Sequence, residues 1–232
     1  MRRRISLIAL AGALLAPSTA SAQQAGTGPT ELEEALGRPR RMPAIPAELR
    51  PLVREVTRDR IVVRGLRGDI PIDISDFEPE NFRQFADGRF LGFSYLGYEA
   101  SGYLLVDRAM SDADAVIATG EAPMLSPDGR WFAAVQFSGA GWGNLEAFGL
   151  WEVTPEGLRE RLFDTALPAG EDWRVDGWAR EDCVALSAAP LTAGGSSDPG
   201  AERIRLSVET GERIAIHADY SPPCGAVDAT QP

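Results

Sequence analysis

One pattern recurs along this chain: a short polar turn, in two cases with Asp-Gly, is followed at once by an apolar strand. The first strand residues after these turns are Phe90, Trp131 and Cys183, at spacings of 41 and 52 residues. Asp-Gly favours a turn because glycine accepts a positive φ and the aspartate side chain can bond nearby backbone amides. The three turns are Ala86-Asp87-Gly88-Arg89, Ser126-Pro127-Asp128-Gly129-Arg130 and the degenerate Ala179-Arg180-Glu181-Asp182.

Each turn and strand is followed by a second strand, a polar turn and one more short apolar segment. Such a unit supplies three or four antiparallel strands, too few to bury both faces alone, so the units must stack on each other. Residues 60–75 could add two further strands that complete a terminal unit. The predicted second strands cover residues 103–106, 148–153 and 204–208, and the third segments cover 115–117, 158–163 and 214–216.

The middle unit carries a family resemblance. Its turn, Ser126 to Arg130, and the aromatic-apolar strand that follows resemble the blade motif of TolB-like β-propellers, and Leu150-Trp151-Glu152-Val153 lies where that family has its next strand. The resemblance covers about Phe82 to His217. It implies a propeller-like fold and action through protein contact.

Three units are fewer than the four to eight blades of a closed propeller. We therefore expect an all-β protein, an incomplete or small propeller-like stack of antiparallel β-sheets, with a short N-terminal helix. A β-sandwich of hairpins is the alternative architecture.

The first 22 residues have the pattern of an export signal. Arg2, Arg3 and Arg4 precede a mostly apolar run over residues 5–16, and Ala20-Ser21-Ala22 provides small residues at a cleavage point. The apolar run is shorter than the ~20 residues that a bilayer requires. We predict cleavage after Ala22, a periplasmic or secreted protein, and no membrane span afterwards.

The mature chain divides into two predicted regions. Residues 23–57 form a flexible lead-in with short helical segments, one of them capped by Thr30 and ended by Gly37. Residues 58–232 form the β-rich repeat domain. Its two cysteines, Cys183 and Cys224, are most simply one disulfide in an oxidising compartment, with two unpaired thiols as the alternative.

The charged residues exclude several kinds of chemistry. All 23 basic residues are arginine, and His217 is the only histidine. Lysine Schiff bases, phosphate-loop lysines and His-rich zinc sites are therefore excluded. The net charge of −11 excludes a nucleic-acid binder, which needs a basic face. We expect no cofactor and no metal, and a partner that is basic or carries cations.

The candidate contact residues are Trp142, Asn144 and Trp173. Trp142 lies in the glycine-rich loop over residues 138–144, where it can face a ligand or a partner, or fold back on its own sheet. A strand follows that loop, whereas a nucleotide-binding loop needs a helix there. The tryptophans in strand-like positions are expected in the core: Trp131, Trp151, Trp173 and Trp178.

Two further patterns favour ordinary structural roles. Asp107, Asp112 and Asp114 lack the glycine and distal glutamate of a calcium loop, so a solvated turn is expected. His217 and Asp219 lack the serine elbow of a hydrolase.

The absence of a catalytic constellation favours an exported, non-enzymatic binding or scaffolding module of the bacterial envelope with a protein partner. The alternative is a periplasmic hydrolase that acts on glycans or esters through acidic loop residues.

Overall fold

The fold was analysed in a computed structural model that describes residues 41–97, 101–111, 113–137, 143–192, 195 and 200–218. Within these residues the protein is all-β, with fifteen strands in four antiparallel sheets. The helical content of this part of the chain is limited to short 3-10 segments, and none of it is long and apolar enough to cross a membrane. The 3-10 segments are Ala47–Leu52, Ala86–Gly88 and Ala113–Ala115.

Each sheet is a simple meander in which strands that follow each other in sequence also pair. Four successive sheets confirm the expected stack of small antiparallel units, rather than the two sheets of a sandwich. Sheet 1 contains β1 (Val53–Val56), β2 (Arg60–Arg64) and β3 (Asp69–Asp73). Sheet 2 contains β4 (Phe77–Phe85), β5 (Phe90–Gly97), β6 (Ser101–Asp107) and β7 (Val116–Ala118). Sheet 3 contains β8 (Met124–Leu125), β9 (Trp131–Gln136), β10 (Ala147–Val153) and β11 (Leu158–Asp164). Sheet 4 contains β12 (Gly170–Arg180), β13 (Cys183–Pro190), β14 (Ile204–Glu209) and β15 (Ala215–Ala218).

The three repeat turns occupy the same position, between the first and second strands of sheets 2, 3 and 4. In each of these sheets the last residue of the third strand, or the residue directly after it, donates its backbone N–H to the carbonyl of the last turn residue, at 3.0, 2.8 and 2.7 Å. The sequence repeat is therefore a structural repeat. The donor and acceptor pairs are Arg108 with Arg89, Val153 with Arg130, and Thr210 with Asp182.

The two strands expected within residues 60–75 form β2 and β3. A third strand, β1, pairs with β2 and completes the sheet. It begins at Val53, ahead of residue 58, where the sequence predicts the start of the β-rich domain. The sequence alone does not mark the short segment of β1 as a strand, because the strand that it pairs with, β2, comes later in the chain.

The serine of the middle turn organises that turn. The Ser126 hydroxyl donates to the Asp128 carboxylate at 2.6 Å and accepts the backbone N–H groups of Arg130 and Trp131 at 3.1 and 2.9 Å. Gly129 has a φ of 72°, as expected for the glycine of an Asp-Gly turn. The turn thus directs the chain into β9 through side-chain bonds that its own sequence supplies.

The sheets pack through both faces of the two central ones. In β5, Leu91 and Phe93 pack on sheet 1, whereas Phe90 points to the opposite face and packs on Phe132 of sheet 3. Sheet 3 in turn packs its other face on sheet 4. The buried residues of that last interface include Trp131, Phe148, Leu150, Trp173, Trp178, Leu186 and Leu206.

The four tryptophans that were expected in the core are all buried. Trp131, Trp151, Trp173 and Trp178 are 3–5% exposed, which confirms the expectation.

Two arginines connect neighbouring sheets at the end that carries the repeat turns. Arg89 in sheet 2 donates two hydrogen bonds to Asp107 at 2.9 and 3.2 Å, and one to the carbonyl of Thr154 after β10. Arg108, after β6, donates to the carbonyl of Arg64 in sheet 1. Planar guanidinium groups are suited to such multiple contacts.

The acidic segment at Asp107 differs from the expected solvated turn. Asp107 is fully buried, and its carboxylate is compensated by bonds from Arg89 and the backbone N–H of Ala109, whereas Asp114 is exposed. Asp112 lies outside the described residues. The part of the chain that the structure describes has no group of three or more His, Cys, Asp or Glu residues that could hold a metal ion.

Replacement of Arg89 tests the buried ion pair. Arg89→Met leaves the Asp107 carboxylate buried without its cation, so we expect a loss of about 3–5 kcal/mol in the free energy of unfolding. Urea unfolding measures it. Arg159→Met, on the exposed face of β11, is the control, and the double variant Arg89→Met/Asp107→Leu should lose less than the single one. An unchanged unfolding midpoint for Arg89→Met would contradict the role of the pair.

The turn serine gives a second test. Ser126→Ala leaves the buried backbone N–H of Trp131 without its acceptor, whereas the N–H of Arg130 keeps the Asp128 carboxylate as acceptor. We therefore expect a loss of about 1–3 kcal/mol of unfolding free energy. The exposed Thr165→Ala is the control and should stay within about 0.5 kcal/mol of the wild type. Equal thermal unfolding temperatures for both variants would show that the hydroxyl does not stabilise the turn.

Candidate functional site

The described residues form a cleft of about 890 Å³ between sheets 3 and 4. It opens at the end of the sheets that carries the repeat turns. We call it the turn cleft. It is lined by residues 128, 130 and 131 of the middle turn, by 180–182 and 210–212 of sheet 4, and by Glu152 and Arg161 of sheet 3.

The lining of the turn cleft is strongly charged. It presents five carboxylates and three guanidinium groups, an excess of two negative charges. The carboxylates belong to Asp128, Glu152, Glu181, Asp182 and Glu212.

Each cleft arginine pairs with a carboxylate of its own sheet. In sheet 3, Arg161 contacts Glu152 at 2.6 Å and its guanidinium lies 5.7 Å from the centre of the Trp131 ring. In sheet 4, Arg180 contacts Asp182 at 3.1 Å and Glu209 at 3.7 Å. Arg130 is more loosely paired with Asp128, at 4.0 Å. These arginines therefore do not close the cleft.

Two glutamates of the cleft keep an uncompensated charge. Among the described ion pairs, none involves Glu181 or Glu212, and both side chains are exposed. The negative potential of the cleft is therefore concentrated on its sheet 4 side.

A buried hydroxyl belongs to the same cleft lining as these glutamates. Thr210 is 7% exposed, and its Oγ1 has no hydrogen-bond partner among the described residues. Its backbone N–H is bonded to the carbonyl of Asp182, which fixes the residue in place. Buried hydroxyl groups are normally hydrogen-bonded, and the described part of the chain supplies no partner for this one.

A second cavity of about 390 Å³ lies between sheets 2 and 3. We call it the inner pocket. Its lining includes Arg83 on β4, Tyr103 on β6, Glu121 before β8 and Gln136 on β9.

Two groups in the inner pocket have altered acidity. Burial raises the pKa of the Tyr103 phenol to about 12, although the charge of Arg83 acts in the opposite direction. Partial burial raises the pKa of the Glu121 carboxyl, and the nearby Asp172 carboxylate raises it further. Tyr103 is therefore a hydrogen-bond donor at neutral pH.

The lining of the inner pocket includes Asn81 and Arg83, which belong to a second repeat that the sequence analysis missed. Glu80-Asn81-Phe82-Arg83 on β4 and Glu171-Asp172-Trp173-Arg174 on β12 share the pattern Glu, Asn or Asp, aromatic residue, Arg. In both strands the second residue has a φ of 52°, the register shifts by a bulge, and the aromatic ring is buried. The matching tetrapeptides are the signal that would have found it.

The structure separates the three predicted contact residues. Trp142 lies outside the described residues. The side chain of Asn144 accepts the Gly120 N–H at 2.7 Å and donates to the Tyr103 carbonyl at 3.3 Å, so it joins two backbone segments. Trp173 packs in the core between sheets 3 and 4. Its ring is 5% exposed, which agrees with the core position expected for the strand tryptophans and leaves little surface for a partner contact.

The other predicted residues have separate positions. Of the turn residues Asp87, Gly88, Asp128 and Gly129, only Asp128 lines the turn cleft, and the positive φ angles of Gly88 and Gly129 confirm the Asp-Gly turns.

Cys183 is fully buried at the start of β13, and Cys224 lies outside the described residues, so their pairing stays a prediction. The Nε2 atom of His217 lies 3.6 Å from the Oε2 atom of Glu209. Asp219 lies outside the described part of the chain.

Comparisons with known proteins provide no identification. No protein-family profile matches the chain, and no curated protein is significantly similar to it in sequence. The assignment of function therefore depends on the geometry of the two cavities.

The raised pKa of Glu121 predicts a pH-dependent stability. The folded protein holds the proton of this carboxyl more tightly than the unfolded chain, so stability should fall as the pH rises above about 4.5, the ordinary value for glutamate. Glu121→Gln should therefore stabilise the protein at pH 7 relative to the wild type, and the gain should vanish near pH 4. Thermal unfolding at both pH values measures this. The exposed Glu160→Gln is the control, and a stabilisation by Glu121→Gln that is equal at both pH values would contradict the account.

Proposed function

We propose that this chain is an exported, non-enzymatic binding module of the bacterial envelope, whose turn cleft receives a cationic segment of a partner protein. The observation that carries the proposal is the uncompensated charge of Glu181 and Glu212 in a lining that also contains Thr210, whose hydroxyl has no partner among the described residues. An arginine or lysine side chain would neutralise the charge and donate a hydrogen bond to the hydroxyl.

The size and position of the cleft support a protein segment as the ligand. A volume of about 890 Å³ is at the upper end of the range for small-molecule pockets. The cleft also opens among turns, where an extended segment can enter without a rearrangement of the strands.

The export part of the proposal depends on the signal-like pattern of residues 1–22. The acidic net charge of −11 supports a cationic partner, because long-range attraction favours encounter between opposite charges. The resemblance to TolB-like propellers is part of the same proposal, since that family implies action through protein contact.

The hydrolase alternative has no observation in its favour. Three carboxylates of the cleft take part in the described ion pairs. Of these, Asp128 and Glu152 have the least exposed side chains, at 18% and 22%. Asp128 is bonded to Ser126 and Glu152 to Arg161, so both are engaged in contacts within the protein. A glycosidase requires two carboxylates positioned for the substrate.

A labelled peptide, Gly-Arg-Gly-Arg-Gly, tests the proposed function by fluorescence anisotropy. We expect it to bind the wild type at low salt, and its glutamate counterpart, Gly-Glu-Gly-Glu-Gly, not to bind. The double variant Glu181→Gln/Glu212→Gln should weaken binding by about two- to thirtyfold, since exposed ion pairs contribute ~0.2–1 kcal/mol each.

The control has the same net charge as the test variant. Glu156→Gln/Glu160→Gln removes two exposed glutamates outside the cleft and should bind as the wild type does, apart from a small general effect of charge. Equal losses in both double variants, or no binding of the arginine peptide, would show that the turn cleft is not a cation site.

A further inference from the structure

The inner pocket contains a buried phenol without a hydrogen-bond partner. Tyr103 is 2% exposed, and its hydroxyl has no partner among the described residues. The ring lies over Gly92, where a Cβ would stand 2.5 Å from the hydroxyl. Glycine at position 92 thus leaves the space that the ring and its hydroxyl occupy. A buried donor without an acceptor is uncommon in proteins, so this hydroxyl is a position at which a bound molecule could supply the acceptor.

Arg83 places a positive charge beside this phenol. It pairs across β4 and β5 with Gly92, and Tyr103 pairs across β5 and β6 with Ser94, so the four residues share the face of sheet 2 that is directed to sheet 3. The described ion pairs do not include Arg83. A guanidinium and a phenol in one pocket are both donors, and their natural acceptor is an oxyanion such as a carboxylate.

Glu121 provides the opposite charge in the same pocket. It comes from the segment between β7 and β8, on the sheet 3 side, and none of the described ion pairs involves it. The adjacent backbone is fixed, because the Gly120 N–H is bonded to Asn144. The pocket therefore presents two donors from sheet 2 and one carboxylate from the segment that leads into sheet 3.

We propose that the inner pocket binds a small zwitterion with the head group of an α-amino acid. Its carboxylate accepts hydrogen bonds from Tyr103 and Arg83, and its ammonium group pairs with Glu121. The volume of about 390 Å³ is at the lower end of the range for ligand pockets and suits a molecule of this size. The site is separate from the turn cleft and does not depend on the function proposed for it.

Titration calorimetry with the twenty L-amino acids, each added alone to the full chain, is the first test. We expect at least one of them to bind. Its methyl ester lacks the carboxylate and its N-acetyl derivative lacks the ammonium group, so each should bind at least tenfold more weakly. No binding by any amino acid, or unchanged binding by either derivative, would overturn the proposal.

Variants of the pocket are the second test. Tyr103→Phe removes only the unbonded hydroxyl, so the unliganded protein should unfold at the same or a higher temperature while its affinity for the amino acid falls about tenfold. Arg83→Gln should weaken binding of the amino acid but not further weaken that of the methyl ester, since the ester lacks the group that Arg83 contacts.

Two controls separate this site from general charge and from the turn cleft. Arg159→Gln removes an exposed arginine of β11 and should leave the affinity unchanged. Glu181→Gln/Glu212→Gln should also retain amino-acid binding. Wild-type affinity in both Tyr103→Phe and Arg83→Gln, or a loss in either control equal to theirs, would overturn the assignment.

Discussion

The stacking of one sheet on the next is the constraint on which this structure depends. Sheets 2 and 3 must be apolar on both faces, and adjacent residues of β5 show how this is achieved: Phe90 packs on sheet 3 and Leu91 on sheet 1. The repeat turns set the start of the second strand in each unit, so they also determine which residues point to which neighbour. A shift of one residue would exchange the two faces.

The contacts of four arginines differ between the junctions that join neighbouring sheets and the junction that contains the turn cleft. Arg108 bonds a carbonyl of sheet 1, and Arg89 bonds a carbonyl beyond β10 in sheet 3, so both contacts cross a junction between sheets. At the junction of sheets 3 and 4, by contrast, Arg161 and Arg180 pair with carboxylates of their own sheets. The turn cleft lies at this junction, and its surplus negative charge is left for a ligand. A chain without lysine thus uses the guanidinium group both to join its sheets and to line its cleft.

The order of strands and turns was predictable from the sequence because both are local. Asp-Gly at residues 128–129 and the alternation in β3 are visible in a few residues, and the structure places them as expected. The cavities were not predictable, since they depend on which residues meet between sheets. Thr210 and Tyr103 are ordinary strand-end and strand residues in the sequence, and only packing leaves their hydroxyl groups buried with no partner among the residues that the structure describes. The burial of Trp173, expected from its strand-like position, likewise depends on packing between sheets, because its neighbours in the core come from sheets 3 and 4.

The most direct test of the open junction is hydrogen–deuterium exchange of the protein with and without the Gly-Arg-Gly-Arg-Gly peptide. The account predicts slower amide exchange in the turns at residues 126–131, 179–182 and 209–213, with no change in the turn at 86–89, where Arg89 already occupies the junction. Protection of the 86–89 turn without protection of the turns around the cleft would contradict it.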